Sequence, residues 1–177
     1  MKILDLGCGK AQTMFPYAKI TRIDKVDVPG SIQWDLEKTP LPFKDNEFDI
    51  VVAFHVLEHI KNFIPLMKEI YRILKTDGMF LIKVPYFNSI NAWGDITHVR
   101  NFTYRSFECF KKNDFWHYEL GDGMDFETVS RKLVFSTDKL KFLNLVINPI
   151  VNKFHAFYEK FPYILPCSEL QIVLRKR

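Results

Sequence analysis

Short apolar stretches recur along the first half of the chain, each ended by polar, glycine or proline positions. Met1–Leu6 runs into Gly-Cys-Gly, which predicts a first strand closing in a turn. Lys19–Val26 predicts a second strand before the Pro29-Gly30 turn, and Ser31–Asp35 a short third one. Asp49–Phe54 is almost continuously apolar, as a parallel strand buried on both faces must be. Over Ile60–Leu74 the period changes: Ile60, Phe63, Ile64, Met67, Ile70, Tyr71 and Leu74 recur at three and four, giving one apolar helical face. Asp77-Gly78 is expected to end that helix. Met79–Val84 then reads as a buried strand stopped by Pro85.

Strands alternating with helical connections predict a parallel sheet with right-handed crossovers. The second half is less regular. Phe87–Arg100 reads as a polar loop, Tyr104–Lys112 as a short helix, Phe126–Phe135 as a strand and Leu170–Leu174 as the last strand. Leu140–Phe161 is a helical candidate broken by Pro149. The expected architecture is α/β, Rossmann-like, a doubly wound and mostly parallel sheet. Its last strand is antiparallel and paired with Phe126–Phe135. One domain is expected over residues 1–177, with a helical insertion at 137–167.

A chain of 177 residues with 47% hydrophobic and 26% charged positions is ordinary for a globule. At this length roughly 70% of the unfolded surface is buried, so no disulfide or metal is needed to hold a core. The longest unbroken apolar run, Ile50–Phe54, is far too short to span a membrane, and no secretory signal is seen. Cys8, Cys109 and Cys167 are scattered, which suits reduced thiols in a cytoplasm. A net charge of +4 does not require a nucleic-acid partner. The closing Arg175-Lys176-Arg177 reads as a solvated basic tail.

The chemistry concentrates at predicted strand ends. Gly7 and Gly9 stand where the first strand hands over to a helix, and glycine lets a ligand approach the backbone there. Asp24 follows Gly7 by 17 residues, at the end of the second strand, where a carboxylate can accept from ribose hydroxyls. Asp35 ends the third strand, within reach of an adenine amino group. These positions share the carboxyl edge, where open α/β sheets bind ligands. A nicotinamide-binding loop is disfavoured, because no glycine follows Gly9 at the GxGxxG spacing.

With these residues in place the chain resembles a class I S-adenosylmethionine-dependent methyltransferase of the "methyltransferase type 11" kind. The resemblance runs through ILDLGCG at Ile3–Gly9, Asp24, Asp35, LPFKDNEFDIVVAFHVLEHI at Leu41–Ile60 and EIYRILKTDGMFLIKVPY at Glu69–Tyr86. It implies S-adenosyl-L-methionine as cofactor. Asp5, Gly7, Cys8 and Gly9 would form the loop under its methionine part, and Asp24, followed by Lys25, would hold the ribose. Asp35 and Leu36 would meet the adenine, and Phe54 and His55 would sit near the amino-acid end and the methyl group. Such enzymes often carry a third glycine where this chain has Ala11, Gly-Gly where it has Asp77-Gly78, and a helical segment before the first strand. The implied reaction is methyl transfer to an oxygen or nitrogen of a small molecule, a sugar being one class. An RNA or protein substrate, or a non-catalytic scaffold, are the alternatives; a monomer or a homodimer fits equally.

His55-Val56-Leu57-Glu58-His59 also matches the H-x-x-E-H string of inverted zinc peptidases. Its first histidine directly follows a buried strand, and the string is common in the resembled family, so no metal is expected. Glu58 and Glu69 read as solvated helix charges. Asp95-Ile96-Thr97-His98-Val99-Arg100 brings a carboxylate, an imidazole and a cation into one loop. His98 is the leading candidate base, with Asp95 as its orienting partner and His55 as a further catalytic candidate. The alternative is a purely structural His–Asp contact. Tyr86, Asn88, Asn91, Trp93 and Trp116 are candidates for the substrate mouth. The aromatic stretch Leu140–Pro166 reads as a sheet cover, a lid, an interface or a membrane-surface helix.

Overall fold

The computed structural model describes residues 1–10, 16–112 and 123–177, so Ala11 and Trp116 lie outside the described residues. Seven strands form one sheet in the order β3-β2-β1-β4-β5-β7-β6. They are β1 (Lys2–Leu6), β2 (Lys19–Asp24), β3 (Ile32–Gln33), β4 (Phe48–Phe54), β5 (Leu74–Pro85), β6 (Phe126–Val134) and β7 (Glu169–Lys176). β1 to β5 pair in parallel. β7 is antiparallel to both β5 and β6, as expected for the last strand. The architecture is the expected Rossmann-like one. Its centre is apolar on both faces: Ile3, Leu4, Leu6, Val51, Val52 and Ala53 have no solvent exposure.

The antiparallel direction of β7 has a direct consequence for the site. Its first residue, Glu169, pairs with Pro85, the last residue of β5. A side chain at the start of β7 therefore reaches the same edge as those leaving β1, β2 and β4. Glu169 and its neighbour Ser168 both face the cavity there.

Helix α1 (Phe63–Ile73) buries Phe63, Leu66, Met67, Ile70 and Ile73, the three-and-four spacing of an apolar face. The Phe63 ring meets Phe102, Phe107 and Phe110 edge-on, with centroids 5.8–6.2 Å away. The helix starts later than its pattern suggests, because Leu57–His59 forms a separate 3-10 turn. It also ends earlier. Leu74 is already extended and paired with Phe48, and Met79 pairs with Ile50, so residues 75–78 bulge opposite Asp49. Asp77, at φ 62°, and Gly78 belong to that bulge and not to a helix cap.

Three further readings are corrected. The loop after β5 holds a short helix, α2 (Ile90–Gly94), whose Ser89 cap accepts from the Ala92 N–H at 3.1 Å. Within Tyr104–Lys112 only Glu108–Phe110 is helical, as a 3-10 turn. Pro149 does not break the aromatic stretch: it lies inside α3 (Asn144–Lys153), and the chain bends at Phe154 before α4 (His155–Lys160). A proline there frees the carbonyl of Leu145, and Leu145 is exposed, so water can take it.

The basic C-terminus is not a solvated tail. Arg175 and Lys176 belong to β7, and Arg175 and Arg177 both pair with Glu127. Lys176 is buried, with its ammonium donating to the Leu74 carbonyl at 2.8 Å and to Asn46 Oδ1 at 3.0 Å. No helix among the described residues is long and apolar enough to cross a membrane.

Candidate active site at the carboxyl edge of the sheet

Two adjoining cavities lie along the carboxyl edge. The smaller, about 250 Å³, is lined by Gly7, Asp24, Lys25, Asp35, Leu36, Glu37, His55, Val56, His59 and Ile60. The larger, about 780 Å³, is lined by His55, Glu58, His59, Asn91, Asp95, His98, Ser168 and Glu169, among others. His55 and His59 belong to both walls.

The glycine loop leaves β1 in the left-handed region. Gly7 has φ 61° and Gly9 φ 51°. A Cβ on Gly7 would lie 2.5 Å from Val56 Cγ2, so the loop packs directly on the segment after β4. A Cβ on Gly9 would meet none of the described residues within 4 Å. The Asp24 carboxylate steadies this loop, accepting from Gly9 N–H at 2.8 Å and from Val26 N–H at 3.0 Å. Among the described residues each oxygen takes one bond, so the pair keeps acceptor capacity for a ligand's hydroxyls. Asp35 accepts from Glu37 N–H at 3.1 Å, and Leu36 presents an apolar side chain beside it.

Several expected cofactor residues stand behind the cavity wall. Asp5 and Cys8 are buried beneath the loop. Burial raises the Cys8 thiol pKa, assisted by the charges of Asp24 and Asp5, which keeps it an inert thiol. Phe54 is absent from both linings; its ring lies under the Lys83 ammonium at 4.5 Å.

His55 departs from β4 with φ 57°, anchored by its N–H to the Lys83 carbonyl at 2.8 Å. Its Nε2 is 2.8 Å from Glu169 Oε2, and its Nδ1 is 3.6 Å from Glu58 Oε1. The Glu169 hydrogen bond, then Glu58, raise its pKa to about 9 against the opposing effect of burial. At neutral pH it is an imidazolium, so it cannot serve as a base. Burial pushes the Glu169 carboxyl up, but the bonds from His55 and Gln171 outweigh it and hold the group below the usual range.

Glu58 is not a solvated helix charge. It is 1% exposed, and neither carboxylate oxygen has a hydrogen-bond partner among the described residues. Glu69 is also fixed, by Arg72 at 2.7 Å and by the Leu41 N–H at 2.7 Å.

The Asp95–Arg100 loop is stapled onto the turn that carries Glu58 and His59. The Val99 N–H donates to the Glu58 carbonyl at 2.9 Å. The Arg100 guanidinium donates to the carbonyls of Ile60 and Lys61 and lies 4.5 Å from the Phe63 ring centroid. Arg100 is thus consumed in holding the loop. His98 is placed edge-on to His59, with ring centroids 4.7 Å apart. The expected Asp95–His98 hydrogen bond is not formed: the nearest approach is 3.9 Å, beyond hydrogen-bond range. Asp95 turns instead to Thr97, accepting from its N–H at 2.8 Å and its hydroxyl at 2.7 Å. His98 is oriented by its own Nδ1–H to the Ala92 carbonyl at 3.1 Å.

Of the expected mouth residues that are described, only Asn91 lines the larger cavity. Tyr86 is core, Asn88 ties to the Tyr158 hydroxyl, and the exposed Trp93 donates to the Phe87 carbonyl. Sequence reasoning missed Glu37, Val56, Thr97, Ser168 and Glu169.

The residues present fit an adenosyl cofactor: a backbone loop open at Gly9, a carboxylate with spare acceptor positions and an apolar-acidic pair at Asp35-Leu36. Comparison with known proteins agrees. Residues 4–82 match the methyltransferase domain family. An uncharacterised protein of Methanocaldococcus jannaschii is 35% identical over 82 residues, 41% of this chain and 36% of that protein. The demethylmenaquinone methyltransferase of Streptomyces avermitilis is 30% identical over 94 residues, 46% of this chain and 41% of that enzyme. The chain thus matches well under half the length of these relatives. The crystal structure of a SAM-dependent methyltransferase from Archaeoglobus fulgidus superposes with a TM-score of 0.65 at 18% identity, covering 99% of this chain and 86% of the other. Residues 4–82 of this chain thus resemble the methyltransferase domain family, and the chain as a whole shares its fold with the SAM-dependent methyltransferase of Archaeoglobus fulgidus.

Proposed function

We propose that the protein is an enzyme that transfers a methyl group from S-adenosylmethionine to an oxygen or nitrogen of a small molecule, a sugar being one such acceptor. The observation that carries this is the meeting of two cavities at His55 and His59, one suited to the cofactor and one to an acceptor. When bound, the cofactor supplies an electrophilic methyl carbon on a sulfonium, so the protein's task is chiefly alignment. Asp24 holds the ribose while keeping the glycine loop in place. Asp35 and Leu36 receive the adenine, and Lys25 stands at the rim. His55, as a cation, attracts the carboxylate of the cofactor's amino-acid end.

His98 is the base candidate for an acceptor that must lose a proton. The Ala92 carbonyl can only accept, so Nδ1 of a neutral His98 carries the hydrogen and Nε2 the lone pair. Asp95 acts one step removed, as a positioning residue for Thr97 and His59. With three free cysteines we place the protein in the reducing cytoplasm, as a monomer or homodimer.

Calorimetric titration with S-adenosylhomocysteine, against NADH as control, tests the reading. Micromolar or tighter binding of the former alone is expected. Asp24→Ala should weaken it by roughly tenfold or more, since a hydrogen bond to a charged group contributes about 1.5–3 kcal/mol. Unchanged affinity in that variant, or NADH binding in its place, would overturn the cofactor assignment.

A further inference from the structure

We propose that Glu58, His59 and His98 bind a divalent transition-metal ion in the wall of the larger cavity. Each offers a ligand atom, and these atoms lie within 4.8 Å of one another. The sequence string alone pairs His55 with His59, but the structure gives His55 to Glu169 and supplies the second imidazole from a loop 39 residues beyond His59.

The protonation pattern around the two histidines is that of metal ligands. In the neutral ring, the form that ligates a metal, His98 Nδ1 donates to the Ala92 carbonyl and Nε2 is the bare nitrogen. The Thr97 hydroxyl touches both Asp95 Oδ1, at 2.7 Å, and His59 Nδ1, at 2.9 Å. It has one hydrogen, and the carboxylate can only accept, so that hydrogen goes to Asp95. His59 Nδ1 must then carry its own hydrogen and donate to the Thr97 oxygen, leaving His59 Nε2 bare as well. A carbonyl behind one imidazole and a hydroxyl–carboxylate pair behind the other are the partners that fix ligating histidines.

Glu58 supplies an independent indication. Its carboxylate is buried at the cavity wall, and no described residue gives a hydrogen bond to either oxygen. The facing ring of His55 stops at 3.6 Å, beyond hydrogen-bond range, because its Nε2 is held by Glu169 at 2.8 Å. A buried carboxylate whose oxygens receive no hydrogen bond is costly unless a donor or a metal ion contacts them directly.

Two imidazoles and one carboxylate suit zinc, iron(II) or a neighbouring ion, and three protein ligands leave positions open toward the cavity. On the methyltransferase reading, on which this consequence alone rests, an acceptor hydroxyl would ligate the ion there. The ion would lower the hydroxyl's pKa, its proton passing to water, and His98 would be a ligand rather than a base.

The test uses the whole chain, stripped with a chelator and titrated with Co²⁺ and, by competition with a chromogenic chelator, with Zn²⁺. We expect one equivalent bound at micromolar or tighter affinity, with visible ligand-field absorption for cobalt. Glu58→Gln and, separately, His98→Ala should each weaken binding at least tenfold. Thr97→Val should weaken it less, and His155→Ala, outside both cavities, should not change it. S-adenosylhomocysteine is titrated in parallel. If it binds while no metal does, the metal proposal fails and the methyltransferase reading stands. If metal binds and the nucleoside does not, the metal site stands and the methyltransferase reading fails. Metal binding that survives both ligand substitutions overturns the site.

Discussion

The charge on His55 is set by two acidic residues far apart in sequence, and this makes it testable alone. Its pKa of about 9 lies above the ordinary histidine value of 6.5. A raised folded-state pKa contributes stability that is complete below pH 6.5 and is lost as pH rises through 9. Thermal stability should therefore decline across that window, and NMR titration of the ring should give a midpoint near 9. Glu169→Gln should move the midpoint down toward 6.5 and flatten the decline. A midpoint that stays near 9 in the variant would remove Glu169 as the cause. Which residues line the smaller cavity was partly legible, because strand ends and glycines announce themselves locally. Gly7, Asp24, Asp35 and Leu36 all line the expected cavity. The His55–Glu169 pair was not legible, since its partners are 114 residues apart and nothing in the strand around Glu169 sets that carboxylate apart.

At the scale of elements, the β1 loop and the segment after β4 are built against each other. Gly7→Ala places a methyl group 2.5 Å from Val56 Cγ2 on a backbone with φ 61°. Each of these two effects costs about 1–3 kcal/mol. Urea unfolding should show a loss in that range or above, and Gly7→Ala with Val56→Ala should recover the steric share while the conformational share remains. Full additivity of the two losses would show that the contact is not what matters. The periodicity of α1 predicted its buried face but not its ends. Its apolar residues continue on both sides into a 3-10 turn and a strand, because burial is demanded of all three. Likewise Asp95–Arg100 was visible as a polar loop. Its function as a clamp was not, because the acceptors of Arg100 are backbone carbonyls, which leave no mark in a sequence.

For the molecule as a whole, β7 is the seam between the parallel sheet and β6, and its basic end is structural. Lys176 offers its charge to a backbone carbonyl and an amide oxygen, with the Tyr71 ring 4.6 Å away. Lys176→Ala should destabilise the protein by about 1–3 kcal/mol, read by denaturant titration, since it leaves the buried Leu74 carbonyl without a partner. A stability unchanged within a few tenths would mean that the side chain is in fact solvated. The insertion of β7 between β5 and β6 also fixes when the site comes into being. Ribosomes make the glycine loop, Asp24 and His98 early, yet the cavity wall waits for Glu169. A nascent chain that has not reached residue 169 carries His55 without its strongest counter-charge, so the wall of the larger cavity cannot close before β7 has been made.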